Sequence, residues 1–489
     1  MYDVVLVGGG VSNLSVLTRL AQRRTLSPGA CVAFVDPAGE TGGGAAYARN
    51  VHPALLLNDR IQKIDRTGIG FGAWLAANAA SVLDDLRRHE DDRVRRWLRW
   101  YGPQLAQGDV TELYLPRTVF GRFARERFDQ ARRALVEQDV TVDVFTARVD
   151  DVWQTAQGWQ LQLPRVGTLL ARAVVLGVGG AVAAPASTHP RYLLGRPGLD
   201  LVEVERAVAR AAGGDVLLLG AAASAVEIVY CLEGNRRLRS AFGSVVAVSP
   251  SGRLPDGLGT ENSAPFAVRA LLGDGNTADA LLRDLADDVR AARALGLRMP
   301  DAYAALHDAF ARRFRRMSEA EKKRVTDVYV PTYLSLVRKT STVYSAGAER
   351  LRARGQLGHV TGRVQTVLAS DEGVTVTLQD GRVLRGAVAL DCRGFGTAEG
   401  DALMSRLIAA GTVGRNDSNM GGVRVNARFE AAPGLLVLGP LLAGTPRAGD
   451  HIWHLEDIPR IHALADEVVA TLDQVLSVGA PVEADAVAV

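Results

Sequence analysis

The sequence is poor in cysteine, nearly empty of lysine and without a long apolar run. Its three cysteines, Cys31, Cys231 and Cys392, are spread over 489 residues. Three separated thiols cannot make a disulfide framework, and the missing C-x-x-C excludes the usual dithiol redox centre and the usual zinc ribbon. No stretch reaches the roughly 18 uncharged apolar residues of a membrane span. The formal net charge is only +3, which excludes a polybasic nucleic-acid binder. Only four of the 57 basic residues are lysine, a bias of coding rather than of function. The N-terminus, Met1-Tyr2-Asp3, leads straight into a strand with no basic or cleavable apolar segment, so a cytoplasmic protein is expected. At 47% hydrophobic and 23% charged, the chain is neither disordered nor fibrous, and its length leaves room for two or three domains.

What is present is a dinucleotide-binding pattern, twice. Val4 to Val7 is a short branched apolar run that ends in Gly8-Gly9-Gly10. A helix is predicted from Val11 to Arg24, then a strand from Cys31 to Val35 that ends at Asp36. The glycines let the backbone approach a pyrophosphate, the helix N-terminus favours its charge, and Asp36 is placed to accept from a ribose hydroxyl. The third glycine of the fingerprint is replaced by Asn13, which is expected to loosen the helix against the strand. A second unit starts at Val216 to Leu219, followed by Gly220-Ala221-Ala222-Ala223-Ser224-Ala225-Val226-Glu227. Here alanine stands at two glycine positions and is expected to resist a turn that needs positive φ. The next strand, Val245 to Val248, has no acid at its tip but Ser249, Ser251 and Arg253, a set that suits a 2′-phosphate and favours NADPH over NADH.

Elsewhere, Thr141 to Leu163 and Gly358 to Val383 alternate apolar and polar residues and are predicted to be antiparallel ribbons. Residues 278–325 are predicted to be helical and charged. The arginine-rich run Arg87 to Trp100 is interrupted by Glu90, Asp91 and Asp92 and is read as an amphipathic helix, not a nucleic-acid face. His451 and His454 are read as packing or flavin contacts without a metal, and Cys392 as a buried, inert thiol near the flavin.

Three segments carry a resemblance: Gly42 to Tyr47 with His52 to Asn58, Leu115 to Gly121, and Leu438 to Gly444 with Ile458 to Ile461. They resemble the bacterial FAD/NAD(P)-binding protein family, flavoproteins with two dinucleotide-binding domains. The stretch Gly220 to Glu227 is also similar to the NADPH motif of N-hydroxylating flavin monooxygenases, among which the nitrosuccinate-forming aspartate N-monooxygenases share the layout.

The resemblance implies an α/β fold with two Rossmann-like domains, the NADP domain inserted into the FAD domain. The expected boundaries are 1–205 and 346–489 for the FAD domain and 206–345 for the NADP domain with its helical insertion. FAD is expected against Gly8, Gly10, Val11, Ser12, Asn13, Asp36 and Pro37, then Tyr47, Leu57, Asn58 and Arg117, and finally Gly394, Gly439 and Pro440. NADPH is expected at Gly220, Ser224, Glu227, Ser249 and Arg253. The implied activity is NADPH- and O2-dependent N-hydroxylation of a small amine, an aspartate-like amino acid, through a flavin C4a-hydroperoxide. Arg60 and Lys63 are the candidate substrate contacts, as carboxylate receptors, with Arg117 and Asn262 as further candidates. Two alternatives stay open: a flavin oxidoreductase that inserts no oxygen, and a non-catalytic FAD-binding partner protein. No nucleic acid or membrane partner is expected, and homo-oligomerisation is left open.

Overall fold

The opening apolar run becomes β1 (Tyr2–Val7), in which Val4, Val5 and Leu6 are wholly buried. A parallel strand covered on both faces needs no polar alternate positions, so the run is continuous. α1 (Val11–Arg23) leads to β2 (Cys31–Asp36), which pairs parallel with β1. A helical layer follows: α2 (Ile61–Ile64), α3 (Phe71–Arg87), α4 (Asp92–Ala106) and α5 (Arg117–Val136). β3 (Thr141–Thr146) then joins the sheet parallel to β2. The hairpin β4 (Asp151–Thr155) and β5 (Gly158–Leu163) turns into β6 (Gly167–Leu176), which lies parallel beside β1. The structure is a computed structural model that describes residues 1–180, 185–195, 200–257, 266–394, 396–447, 450–453 and 455–477.

A second sheet begins with β7 (Tyr192–Leu194), α6 (Leu201–Ala209), β8 (Val216–Leu219), α7 (Ala223–Gly234), β9 (Val245–Ser249) and the short β10 (Asp256–Gly257). The helical insertion then runs through α8 (Ala278–Ala294), α9 (Met299–Arg315), α10 (Glu319–Arg324), a π-helical turn at 325–329 and α11 (Val330–Val337). It has a core of its own around Leu281, Leu285, Phe310, Phe314 and Tyr333. β11 (Lys339–Thr340) pairs with β10 and returns the chain through α12 (Thr342–Ala353) to β12 (Leu357–Thr361). A meander of β13 (Val364–Ser370), β14 (Gly373–Leu378) and β15 (Val383–Gly386) precedes β16 (Val388–Asp391). α13 (Ala402–Ala409), β17 (Glu430–Ala432) and β18 (Leu435–Val437) complete the first unit, followed by the hairpin β19 (Thr445–Arg447) and β20 (Asp450–Ile452) and by α14 (Ile458–Ser477).

The strand orders are β17-β18-β6-β1-β2-β3 and β7-β16-β8-β9-β12. The quartets β6-β1-β2-β3 and β16-β8-β9-β12 are one plan used twice, the second unit lying within the first. Strand pairing divides the chain elsewhere than 205/206 and 345/346, because β7, β12 and β16 all belong to the second sheet. Both expected ribbons are also shorter than their alternating stretches. The first strand of each stretch, β3 or β12, is the parallel edge strand of its sheet. An edge strand alternates apolar and polar residues just as a ribbon does, so the pattern alone does not separate them. The arginine-rich run falls on the end of α3, a break at 88–91 and α4, with Trp97 buried and Trp100 exposed. No described helix is long and apolar enough to cross a membrane.

Candidate functional site

At the first turn Gly8 has φ +106°, and a Cβ there would collide with the Gly177 carbonyl, 2.8 Å from its carbon. Only glycine fits such a conformation at such an approach. The Gly8 N–H donates to Val35 O at 2.8 Å, which fixes the turn against the end of β2. Asp36 accepts from the N–H groups of Gly9 (2.8 Å), Ala38 (2.9 Å) and Glu40 (3.1 Å), so the strand-tip acid closes the turn it follows, and Pro37 beside it is exposed. Asn13 does not loosen the helix. It is fully buried, and its amide donates to Val7 O and Gly8 O, both at 2.8 Å. The small residue that the fingerprint demands has moved across the contact: a Cβ on Gly177 would lie 2.8 Å from the Asn13 amide. Val11 and Ser12 are buried behind the turn, and Gly439 (φ +98°) passes so close that a Cβ would come 2.6 Å from Ser12 Oγ, just before the turn at Pro440.

The second turn repeats this frame. Gly220 also has φ +106°, a Cβ there would lie 2.7 Å from the Cys392 carbonyl carbon, and its N–H donates to Val248 O at 2.8 Å. Ala222 caps α7 at φ −99°, and neither Ala221 nor Ala222 takes a positive φ, so the alanines do not resist the turn. Cys392 is buried against this second turn rather than the first, and burial pushes its thiol far up. Gly394, two residues on, is exposed at φ +105°. Neither α1 nor α7 has a side-chain cap or an acid in its first turn, and a Cβ on Gly10 would meet open space. Both helix starts, with half-buried Ser224 on the second, therefore suit a phosphate. At the tip of β9, Ser249 Oγ accepts from Gly252 N at 3.1 Å and lies 3.2 Å from Ser251 Oγ. The Arg253 guanidinium has no hydrogen bond or ion pair among the described residues. Arg293, on α8, is its neighbour: burial and the Arg253 charge push the Arg293 guanidinium down, and only Asp256, at 4.0 Å, opposes them.

The two units meet at a buried junction. Arg117 starts α5 and pairs with Glu227 of α7 at 2.8 Å, although the two were expected on different cofactors. The Tyr344 hydroxyl lies 2.9 Å from Glu227 and 3.0 Å from Leu56 O, and Arg117 Nε also donates to Leu56 O at 3.0 Å. This fixes the segment that carries buried Leu57 and exposed Asn58. Half-buried Tyr47 packs on Phe120 of α5, with ring centres 4.7 Å apart.

Residues 5–181 match the model of a family described as FAD-NAD(P)-binding. An uncharacterized protein of Mycobacterium tuberculosis is 26% identical over 519 aligned residues, covering 96% of this chain and 95% of its own, and one of Mycobacterium bovis matches equally. The structure is similar to the reduced form of ornithine hydroxylase from Pseudomonas aeruginosa, with TM-score 0.56, 14% identity, and 97% of this chain and 100% of that chain covered. It is also similar to the FAD-bound cadaverine monooxygenase of the desferrioxamine pathway from Erwinia amylovora, with TM-score 0.56, 13% identity, and 96% and 94% covered. At these identities the likeness is one of fold, and it extends over the whole two-unit layout.

Beyond the first glycine turn, two helices start side by side. On α14, His462 meets Ser15 (3.2 Å) and Asp466 meets Arg19 (3.2 Å) and Arg23 (2.5 Å), so α14 runs parallel to α1. Lys63 reaches this end and pairs with Asp59 (2.9 Å) and with Asp457 (2.6 Å), the residue before α14. Burial opposes the Lys63 charge, but the two carboxylates outweigh it and hold the ammonium above its ordinary range. Arg60 is bound to Glu112 and to the Tyr114 hydroxyl. Neither cation is thus a ready carboxylate receptor. Asn262, Phe395 and His454 lie outside the described residues. The helical insertion covers this end with aromatic rings: Trp453 packs edge-on against Phe310, Phe314 and Tyr333. The Tyr333 hydroxyl lies 3.0 Å from His307 Nδ1, and Tyr303 stacks on that imidazole. His451 is bonded to Thr326 of the π-helical turn. Arg338, at the end of α11, is half-buried, and burial pulls its guanidinium below its ordinary range against the charge of Glu456. An isolated arginine near a predicted helix end carries no signal of that in sequence.

Proposed function

We propose that the protein is an NADPH- and O2-dependent flavin monooxygenase that oxygenates the nitrogen of a small amine, an aspartate-like amino acid in the first instance. The observation that carries this reading is the junction Glu227–Arg117–Tyr344–Leu56. It ties the helix of the second glycine turn to the segment, next to the first turn, that carries Leu57 and Asn58. Two dinucleotides on these turns would meet across that segment. FAD, when bound, supplies hydride acceptance and O2 activation.

The rest falls to the chain. The N–H groups at the start of α1, with Gly8 and Gly439 closed down on either side, would hold the FAD pyrophosphate. The start of α7 would hold that of NADPH, with Arg253 and Arg293 toward its 2′-phosphate. The aromatic face of the insertion excludes water from the reacting end, where water would divert reduced flavin to peroxide. Asp59 and Asp457 together exceed the charge of Lys63 by one and favour an incoming ammonium group.

The test is FAD-loaded protein mixed with NADPH, isotopically labelled O2 and a panel of amino acids and diamines. The expected result is bleaching of the flavin by NADPH and a hydroxylamine or more oxidised product that carries the label. Bleaching with no labelled product from any compound would leave an oxidoreductase that inserts no oxygen. Failure of NADPH to bleach the flavin would leave an FAD-binding partner protein.

A further inference from the structure

An amine reaches a protein as an ammonium ion, which has no lone pair until a proton leaves. Asp59 and Asp457 attract such a group, but both already pair with Lys63, and paired carboxylates are weak bases. A different acceptor lines a cavity of about 250 Å³ between the insertion and the first unit. Thr326, Asn416, Ser418, Arg424, Thr445 and His451 stand in its wall. Contacts tie this wall to the first glycine turn. Gly439, which lies on Ser12, opens the segment that leads to Thr445. Val423 N donates to Leu441 O of that segment at 2.9 Å, and the Asn416 amide donates to Ala443 O at 2.6 Å. Phe314 ties the wall to the aromatic face, because it packs edge-on against both His451 (5.7 Å) and Trp453 (5.3 Å).

Thr445 is only 4% exposed, and its hydroxyl has no hydrogen-bond partner among the described residues. A ligand in the cavity would remove the cost of that orphaned group. His451 is held in one form. Thr326 lies on the π-helical turn, and its hydroxyl donates to Lys322 O at 3.0 Å. Its hydrogen is thereby spent, so its oxygen accepts from His451 Nδ1, which carries the ring proton. Nε2 keeps a lone pair and has no partner among the described residues. Burial favours the neutral ring; Glu319, Asp450 and Asp327 oppose this, and Lys322 supports it. Of the other charges around the ring, Lys323 is bound to Asp327 and to Asp417 O, and Arg447 of β19 turns to Glu467. Arg424 and the Asp417 carboxylate complete the wall.

We propose that this cavity takes the amine end of the substrate, that His451 is the catalytic residue that accepts its proton, and that Thr326 positions the ring. The N–H bond of the ammonium breaks and the proton passes to Nε2. The electron pair stays on nitrogen, where the N–O bond then forms with oxygen from O2 and electrons from NADPH. His451 becomes an imidazolium with Nδ1–H still on Thr326 and Glu319, Asp327 and Asp450 around it, and it returns the proton to water before the next turnover. The dry aromatic surroundings weaken the hold of the ammonium on its proton and bring donor and acceptor closer. This deepens the oxygenase reading and rests on it for the fate of the lone pair.

The test uses the full-length, FAD-loaded protein with L-aspartate, L-ornithine and 1,4-diaminobutane as probes. Labelled product, NADPH consumed and peroxide released are measured together from mildly acid to alkaline pH. Wild type should reach its plateau of product by neutral pH, because the ring is already neutral there. His451→Gln should lower labelled product about 100-fold at neutral pH, in kcat more than in KM, while NADPH electrons go to peroxide. Its product should recover as pH rises toward the ordinary ammonium range, where water takes the proton instead, and added imidazole should restore part of it at neutral pH. Thr326→Val, which frees the ring, should lose about 10-fold, and Thr326→Ser should resemble wild type. Without any turnover, NMR of protein with isotopically labelled histidine, assigned by the signal missing from His451→Gln, should show the ring proton on Nδ1.

The proposal fails if His451→Gln keeps the wild-type yield and pH profile, if its loss is the same at every pH, or if the ring proton is on Nε2. Failure of the oxygenase reading looks different: wild type forms no labelled product at any pH. The assignment of His451 is then decided by the tautomer and by the flavin absorbance. His451→Gln should abolish the perturbation that the amine probes cause in wild type, and an unchanged perturbation overturns the assignment.

Discussion

The two glycine turns share a backbone and differ in what surrounds it. Gly8 and Gly220 have the same φ of +106°, each abuts a carbonyl just past the crossover strand, and each donates to the second strand over the same distance. The side chains then diverge. Five residues after the glycine stands Asn13 in one turn and Ala225 in the other; seven residues after it stand Ser15 and Glu227. Ser15 meets a neutral imidazole, His462, whereas Glu227 meets a guanidinium and a phenol in the junction between the units. The common frame sets where a pyrophosphate sits, and the neighbours set what each turn is tied to. The first turn is sealed by hydrogen bonds within its own unit, through Asn13 and Asp36, and the second is anchored by charge to the other unit.

The strongest way to break the parallel is to add one methyl group to each turn. Gly8→Ala and Gly220→Ala should each destabilise by about 2–5 kcal/mol, from the strained φ and from overlap with the carbonyl. Their readouts should separate. Gly8→Ala should purify without flavin, whereas Gly220→Ala should keep flavin that NADPH no longer bleaches. Full flavin content and an unchanged thermal midpoint in Gly8→Ala would refute the steric demand. The anchor is of comparable size. Glu227→Ala leaves Arg117 buried without its carboxylate and should cost about 3–5 kcal/mol. Arg117→Met added to Glu227→Ala should recover part of this, so the two changes should be non-additive in a denaturant midpoint series. Additive losses would show that the pair does not act as a unit.

The contrast also shows what the sequence made legible. Both βαβ units could be read, because continuous apolar runs and the glycines at 8 and 220 reflect local requirements of a buried parallel strand and a positive-φ turn. The neighbours of the glycines were misread, because their meaning depends on residues far along the chain. Asn13 is explained by Gly177, and the alanines after Gly220 by the fact that only Gly220 needs positive φ. Lys63 looked free until the fold brought Asp457 to it from 394 residues away. Arg293 carries no local signal, because the insertion delivers it to a strand tip whose motif lies elsewhere.

Acid should sharpen the comparison at the seventh residue. His462 is buried against Ser15, and burial, reinforced by the Arg19 charge, lowers its pKa from 6.5 to about 4. The unfolded chain therefore binds the extra proton first, so the stabilisation is complete above about pH 6.5 and is lost as pH falls toward 4, by at most about 3 kcal/mol. His462→Gln should flatten the stability profile over that window without moving the junction at Glu227. An equally steep profile in the variant would place the acid sensitivity elsewhere.

The smallest expected effect is at the strand tips. Asp36 sends its carboxylate back to Gly9, Ala38 and Glu40, while Ser249 keeps a hydroxyl there with Arg253 and Arg293 beyond it. A carboxylate repels a 2′-phosphate, and two like-charged guanidiniums with one acid at 4.0 Å are relieved by it. Arg253→Gln and Arg293→Gln should each lower the preference for NADPH over NADH by about 10-fold, with NADH itself little affected. Ser249→Asp imports the acid of the first unit into the second and should lower that preference too, by electrostatic repulsion rather than by loss of a contact. If all three variants change NADPH and NADH binding equally, the tip does not read the phosphate, and the two units differ only in how they are anchored.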